Sequence, residues 1–118
     1  MVRSIRLLGA AAMLFASVAA HAVDDTYVFE SVSRVEHEGS TTAITGVIVG
    51  NTSPTDIVVP PALSTPVGDR CPKYFDLMVE HPGDFTLSVT IRTVTYTGPG
   101  GSPTTSVSLL KCSITRNP

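Results

Sequence analysis

Between Asp84 and Tyr96 the chain alternates: Phe85, Leu87, Val89 and Ile91 are apolar, while Thr86, Ser88, Thr90 and Arg92 are not. A period of two puts the first set on one face of an extended strand and the second set on the other, an arrangement a helix cannot produce. The stretch therefore requires a sheet with one face packed against something. Its apolar phase passes on to Val94 and Tyr96, which predicts a bulge near Thr93.

The rest of the chain fits around that strand. Thr and Val dominate the ordered-looking segments, and β-branching favours strands over helices. Tyr27 to His37 reads as a first strand in which Phe29, Val32 and Val35 recur every third residue, a spacing that predicts one bulge. Glu38-Gly39-Ser40 is a turn, and Thr41 to Gly50 returns as a second strand, making a hairpin. Ile57 to Val59 is a short third strand halted by Pro60-Pro61, since proline cannot donate to a ladder. Ala62 to Gly68 reads as a connection. One short helix, two to three turns long, follows: Asp69 is its expected cap, Pro72 lies in its first turn, and Tyr74, Phe75, Leu77 and Met78 share a face. His81-Pro82-Gly83 ends it. After the alternating strand, Gly98 to Pro103 is a hairpin loop and Ser106 to Thr115 a last strand, with Leu110, Cys112 and Ile114 in alternation. The expectation is a mainly β protein with one short helix: three strands, the helix, then two strands, the element order of a five-stranded OB-like barrel. The competing architecture is a small immunoglobulin-like β-sandwich, which needs about seven strands and usually a core Trp.

The amino-terminal end sets compartment and size. Arg3 and Arg6 precede an apolar run from Leu7 to Ala20, and Ala20-His21-Ala22 supplies the small-x-small pattern of a signal-peptidase site. The run falls short of the roughly 20 residues that a membrane span requires. Residues 1–22 thus read as a signal peptide cut after Ala22, and 23–118 as a single OB-like β-barrel domain, exported to the periplasm or the extracellular space, soluble and without a membrane span. Export places the two cysteines, Cys71 and Cys112, in an oxidising compartment, where they can form one intramolecular disulfide. Closing a loop of that size stabilises by about 4 kcal/mol in the chain-entropy model.

The run Cys71-Pro72-Lys73-Tyr74-Phe75-Asp76-Leu77-Met78, followed by Pro82-Gly83-Asp84-Phe85-Thr86-Leu87-Ser88-Val89, resembles the helix-to-strand passage of secreted bacterial OB-fold proteins. Among these are the pentameric B subunits of subtilase-cytotoxin and pertussis-like toxins. The resemblance covers the order of elements from Tyr27 to Thr115, and Cys112 in the last strand fits it. It implies a glycan-binding B subunit, or a part of a toxin assembly. No glycan-binding motif matches residue by residue, so no site residue is carried over.

Charge and motif content narrow the functional classes. Without Arg3 and Arg6, six basic and ten acidic residues remain, a net charge of −4, which disfavours nucleic acid and anionic lipid as partners. Glu36-His37-Glu38 is not a metal motif on a strand, where neighbours face opposite ways. The adjacent Asp24 and Asp25 fall at an end expected to fray, and His81 reads as a helix-end residue rather than a base. The glycine-rich loop from Gly98 to Gly101 lacks the helix and Lys-Ser/Thr of a phosphate site. No catalytic residue, cofactor or metal is expected. The candidate ligand face is Thr86, Ser88, Thr90 and Arg92, with a solvated sheet face as the simpler alternative. The function expected is a non-enzymatic binding or interaction module of the bacterial envelope or exterior. Its partner would be a glycan or a protein, and assembly into an oligomer is compatible with this. The alternatives are the toxin-like B subunit and an inhibitor of a cell-wall hydrolase.

Overall fold

The computed structural model describes residues 19–98 and 100–118. The elements are β1 (Ala19–Glu38), β2 (Thr41–Ile48), β3 (Thr55–Val59), α1 (Thr65–Glu80), β4 (Phe85–Thr97) and β5 (Thr104–Arg116). The described residues form two compact units: one holds residues 24–92 and 107–118, the other residues 19–23 and 93–106. Five antiparallel strands make one sheet in the order β3-β2-β1-β4-β5. All five lie in that one sheet, whereas a sandwich would need two. The sheet is not closed into a barrel by a strand ladder. Among the described residues, an isolated parallel bridge joins Ala62, just after β3, to Leu109 of β5. Leu109 N–H donates to Pro61 O and Leu63 N–H donates to Leu109 O, both at 2.9 Å.

β1 shows how a sequence period becomes geometry. Phe29 pairs with Ile48 and Ser31 with Val47, so Glu30 is an extra residue; Val32 pairs with Gly46 and Arg34 with Thr45, so Ser33 is a second. A regular strand returns to the same face every two residues, and each inserted residue lengthens one step to three. Two bulges, not the single one expected, are what carry Phe29, Val32 and Val35 inward together. The Ser33 hydroxyl donates across the bulge to Thr45 O at 3.2 Å. Opposite the bulged stretch stands Gly46, where a Cβ would lie 2.2 Å from Ser31 O and 2.9 Å from a ring carbon of Phe29. Only glycine leaves room there. The hairpin turns on Gly39, whose φ of 58° suits the first position of a two-residue turn.

α1 begins earlier than the sequence indicated. Pro66, not Pro72, sits in the first turn, where a missing N–H costs nothing, and Ser64 precedes it in extended geometry with its carbonyl accepting from Gly68 N–H at 3.1 Å. The segment read as a connection is thus partly helical, and the helix runs 16 residues rather than two to three turns. Pro72 lies inside it and has no N–H to give the preceding turn. Cys71, Phe75 and Met78, spaced by four and three, form the buried stripe. They meet Phe29, Val32, Ile44, Val59, Leu87, Val89, Ile91 and Leu109 from the strands in one core. Each large side chain there contributes roughly 1.5–3 kcal/mol by leaving water. On β5 it is Leu109, not Leu110, that is buried, because its backbone is drawn to the 61–63 segment. Cys71, in the second turn of α1 rather than at its start, is bonded to Cys112 of β5 with Cα atoms 5.6 Å apart.

Most of the segment read as a signal peptide lies outside the described residues, but Ala19 to Ala22 form the beginning of β1. Among the described residues, no helix is long and apolar enough to cross a membrane.

Candidate functional site

Burial of Leu87, Val89 and Ile91 turns Thr86, Ser88, Thr90 and Arg92 to the opposite face of β4, as the alternation predicts. The structure brings these residues into one strip, and three of the four are held by neighbours. Thr86 Oγ1 donates to Asn117 Oδ1 at 2.7 Å, and Asn117 in turn donates its Nδ2–H to Gly83 O at 2.9 Å. Thr90 shares a hydrogen bond with Thr26 of β1 at 3.0 Å. Arg92 grips Asp24 with two bonds, Nε to Oδ1 at 2.8 Å and Nη2 to Oδ2 at 2.9 Å. Asp24 is therefore not frayed; it is seated in β1. The two-pronged hydrogen bond from Arg92 lowers the Asp24 carboxyl below its ordinary range, and Asp24 raises Arg92 in return. The strip is a set of cross-strand ties more than a row of unengaged donors.

A second polar patch on the face away from the core was not legible in the sequence. Arg34 of β1, Thr45 of β2 and Asp56 of β3 stand in one row across three strands, and Glu36, Ala43 and Val58 stand in the next. Partners across an antiparallel ladder share a face, so all six point away from the core. Arg34 forms an ion pair with Glu36. The Thr45 hydroxyl donates to Asp56 Oδ1 at 2.6 Å. These residues and Ile57 line a shallow hollow of about 150 Å³, with Val58 63% exposed at its margin. The hollow offers a guanidinium, two carboxylates, a hydroxyl and a small apolar surface. That chemistry can bind a polyhydroxylated or peptide-like ligand. Reading it from sequence would require the register, which the two bulges of β1 displace.

A second hollow, of about 250 Å³, lies between α1 and the end of β3, lined chiefly by Val59, Pro60, Pro61, Pro72, Phe75 and Leu109, with Ser40 and Thr42 at its polar side. Near it, His37 Nδ1 and Thr42 Oγ1 are 3.2 Å apart. A hydroxyl beside an imidazole has the two members of a nucleophile–base pair, and a working pair also needs a third group that orients the ring. His81 caps α1, with its Nδ1 3.9 Å from Asp84 Oδ2 and its ring edge-on to Phe85. Among the described residues, no group of three or more His, Cys, Asp or Glu side chains is arranged to hold a metal. No family model matches the chain, and no curated protein or solved structure proves similar to it.

Proposed function

We propose that this chain is an exported, non-enzymatic binding module of the periplasm or extracellular space, with an OB-type fold and a glycan or protein as its ligand. The order of three strands, helix and two strands supports the fold, as does the sheet order β3-β2-β1-β4-β5. The parallel bridge between Ala62 and Leu109 is the kind of contact through which such a sheet approaches closure. The disulfide between α1 and β5 suits an oxidising compartment.

The observation that carries the ligand reading is the Arg34–Thr45–Asp56 row with its neighbours Glu36 and Val58. It lies on the face of strands two and three, the face that OB folds use for oligosaccharides and oligonucleotides. The acidic balance of residues 23–118 turns the choice away from oligonucleotides. Carboxylates and a guanidinium take sugar hydroxyls by charge-assisted hydrogen bonds. The test is a glycan array probed with residues 23–118, alongside Arg34→Ala and Asp56→Asn. Binding that both variants lose, with melting unchanged, is the expected result. Binding that persists in both variants would remove the site from this face, and a blank array would leave protein capture as the reading to pursue.

A further inference from the structure

The Asp24–Arg92 and Thr26–Thr90 bonds fix the register of β1 on β4: each step back along β1 matches a step forward along β4. Five steps back from Asp24 is Ala19, and five steps forward from Arg92 is Thr97, where β4 ends. Ala19 to Val23 and Thr93 to Thr97 also belong to the same compact unit. Carried past Thr93 without the bulge expected there, that register makes the segment from Ala19 to Ala22 the strand partner of the last residues of β4 in the uncut chain. That segment is the one the Ala20-His21-Ala22 motif assigns to the discarded side of the signal cut.

We propose that processing after Ala22 strips this partner from β4 and exposes Val94 to Thr97 as a strand edge on which a second copy of the chain docks. The inference rests on the export reading given above. Natural proteins guard an open edge with charge, proline or a bulge; Val94-Thr95-Tyr96-Thr97 contains neither charge nor proline, and the bulge expected from the sequence falls before it, near Thr93. The segment is also complementary to itself. With a two-fold axis at Thr95, antiparallel pairing sets Val94 opposite the second copy's Tyr96 and Thr95 opposite its own equivalent. Both are favourable cross-strand pairs, an aromatic with a β-branched residue and a threonine with a threonine. Because the paired residues are two apart, every side chain stays on its own face of the joined sheet. Tyr96 is 48% exposed, so its ring has surface to bury in such a pair. Only a few residues of each copy take part, so the association is weak and concentration-dependent.

The experiment is light scattering on residues 23–118 from roughly 10 μM to 1 mM, with hydrogen exchange of the 94–97 amides at both ends of that range. The expected result is a mass that rises toward the dimer, with protection of those amides appearing at high concentration. Thr95→Lys sets like charges face to face on the two-fold and is expected to stay monomeric, whereas Ser88→Lys, elsewhere on β4, is expected to associate as the unsubstituted chain does. The concentration series on the unsubstituted chain decides the matter even if Thr95→Lys melts early. A monomer at 1 mM with open amides at 94–97, or association unaltered by Thr95→Lys in a folded protein, would overturn the proposal. Amino-terminal sequencing of the exported product reads the cut separately: a chain retaining Ala19 to Ala22 would refute the cut after Ala22, and with it the open edge in the natural product, without bearing on the pairing of the shortened chain.

Discussion

β1 and β4 are neighbours in one sheet, and both must turn apolar side chains toward α1, yet they do so with different periods. β4 keeps strict alternation, burying Leu87, Val89 and Ile91 in succession. β1 buries Phe29 and Val32 and half-buries Val35, taking three residues to each step by way of an extra residue at Glu30 and another at Ser33. The regular strand depends on no particular neighbour for its geometry. The bulged strand presses its backbone toward β2, and β2 answers with Gly46. Irregularity in one strand is thus written as a glycine in the next.

The strongest way to break this contrast is Gly46→Ala. A methyl group 2.2 Å from Ser31 O and 2.9 Å from the Phe29 ring must displace backbone as well as side chain. A loss of about 4 kcal/mol is expected, read as a collapse of the urea midpoint. On β4 the largest effect comes from the side chain rather than the backbone. Leu87→Ala empties part of a fully buried site and is expected to cost about 3 kcal/mol, while Ser88→Ala on the opposite face stays within about 0.5 kcal/mol. Equal losses from Leu87→Ala and Ser88→Ala would mean that β4 is covered on both faces.

The smallest expected effect concerns the tie between the two strands. Asp24 has its carboxyl lowered by Arg92, so the tie stabilises the fold above pH of about 4 and is lost as pH falls through the lowered value. Asp24→Asn should therefore melt slightly earlier than the unsubstituted chain at neutral pH, and the difference should vanish in strong acid. Because both groups are well exposed, salt should shrink the difference too. A gap that widened in acid would contradict the assignment.

What was legible in the sequence follows the same contrast. The β4 alternation, the Gly39 turn, the end of α1 at Glu80 and the Cys71–Cys112 pairing all rest on local or uniquely determined signals, and the structure shows each of them. The start of α1 was missed because two prolines competed for the first turn, and Pro72 stays inside the helix beside a cysteine anchored to β5. The second bulge was missed because a spacing of three needs one insertion per step, and β1 takes two such steps. The Arg34–Thr45–Asp56 row depends on register across three strands, which no single strand's pattern contains. The β4 strip was found, but its engagement with Asp24, Thr26 and Asn117 involves residues distant in sequence.

The proposed compartment and the proposed β4 edge both require a single covalent species: a chain beginning at Val23 and closed by the Cys71–Cys112 disulfide. Intact mass of the protein recovered from outside the cytoplasm, alkylated with and without prior reduction, reads both features at once. The expected product starts at Val23, takes up no alkylating groups before reduction and takes up two after it. A product that retains Met1 and alkylates at both Cys71 and Cys112 without reductant would contradict it.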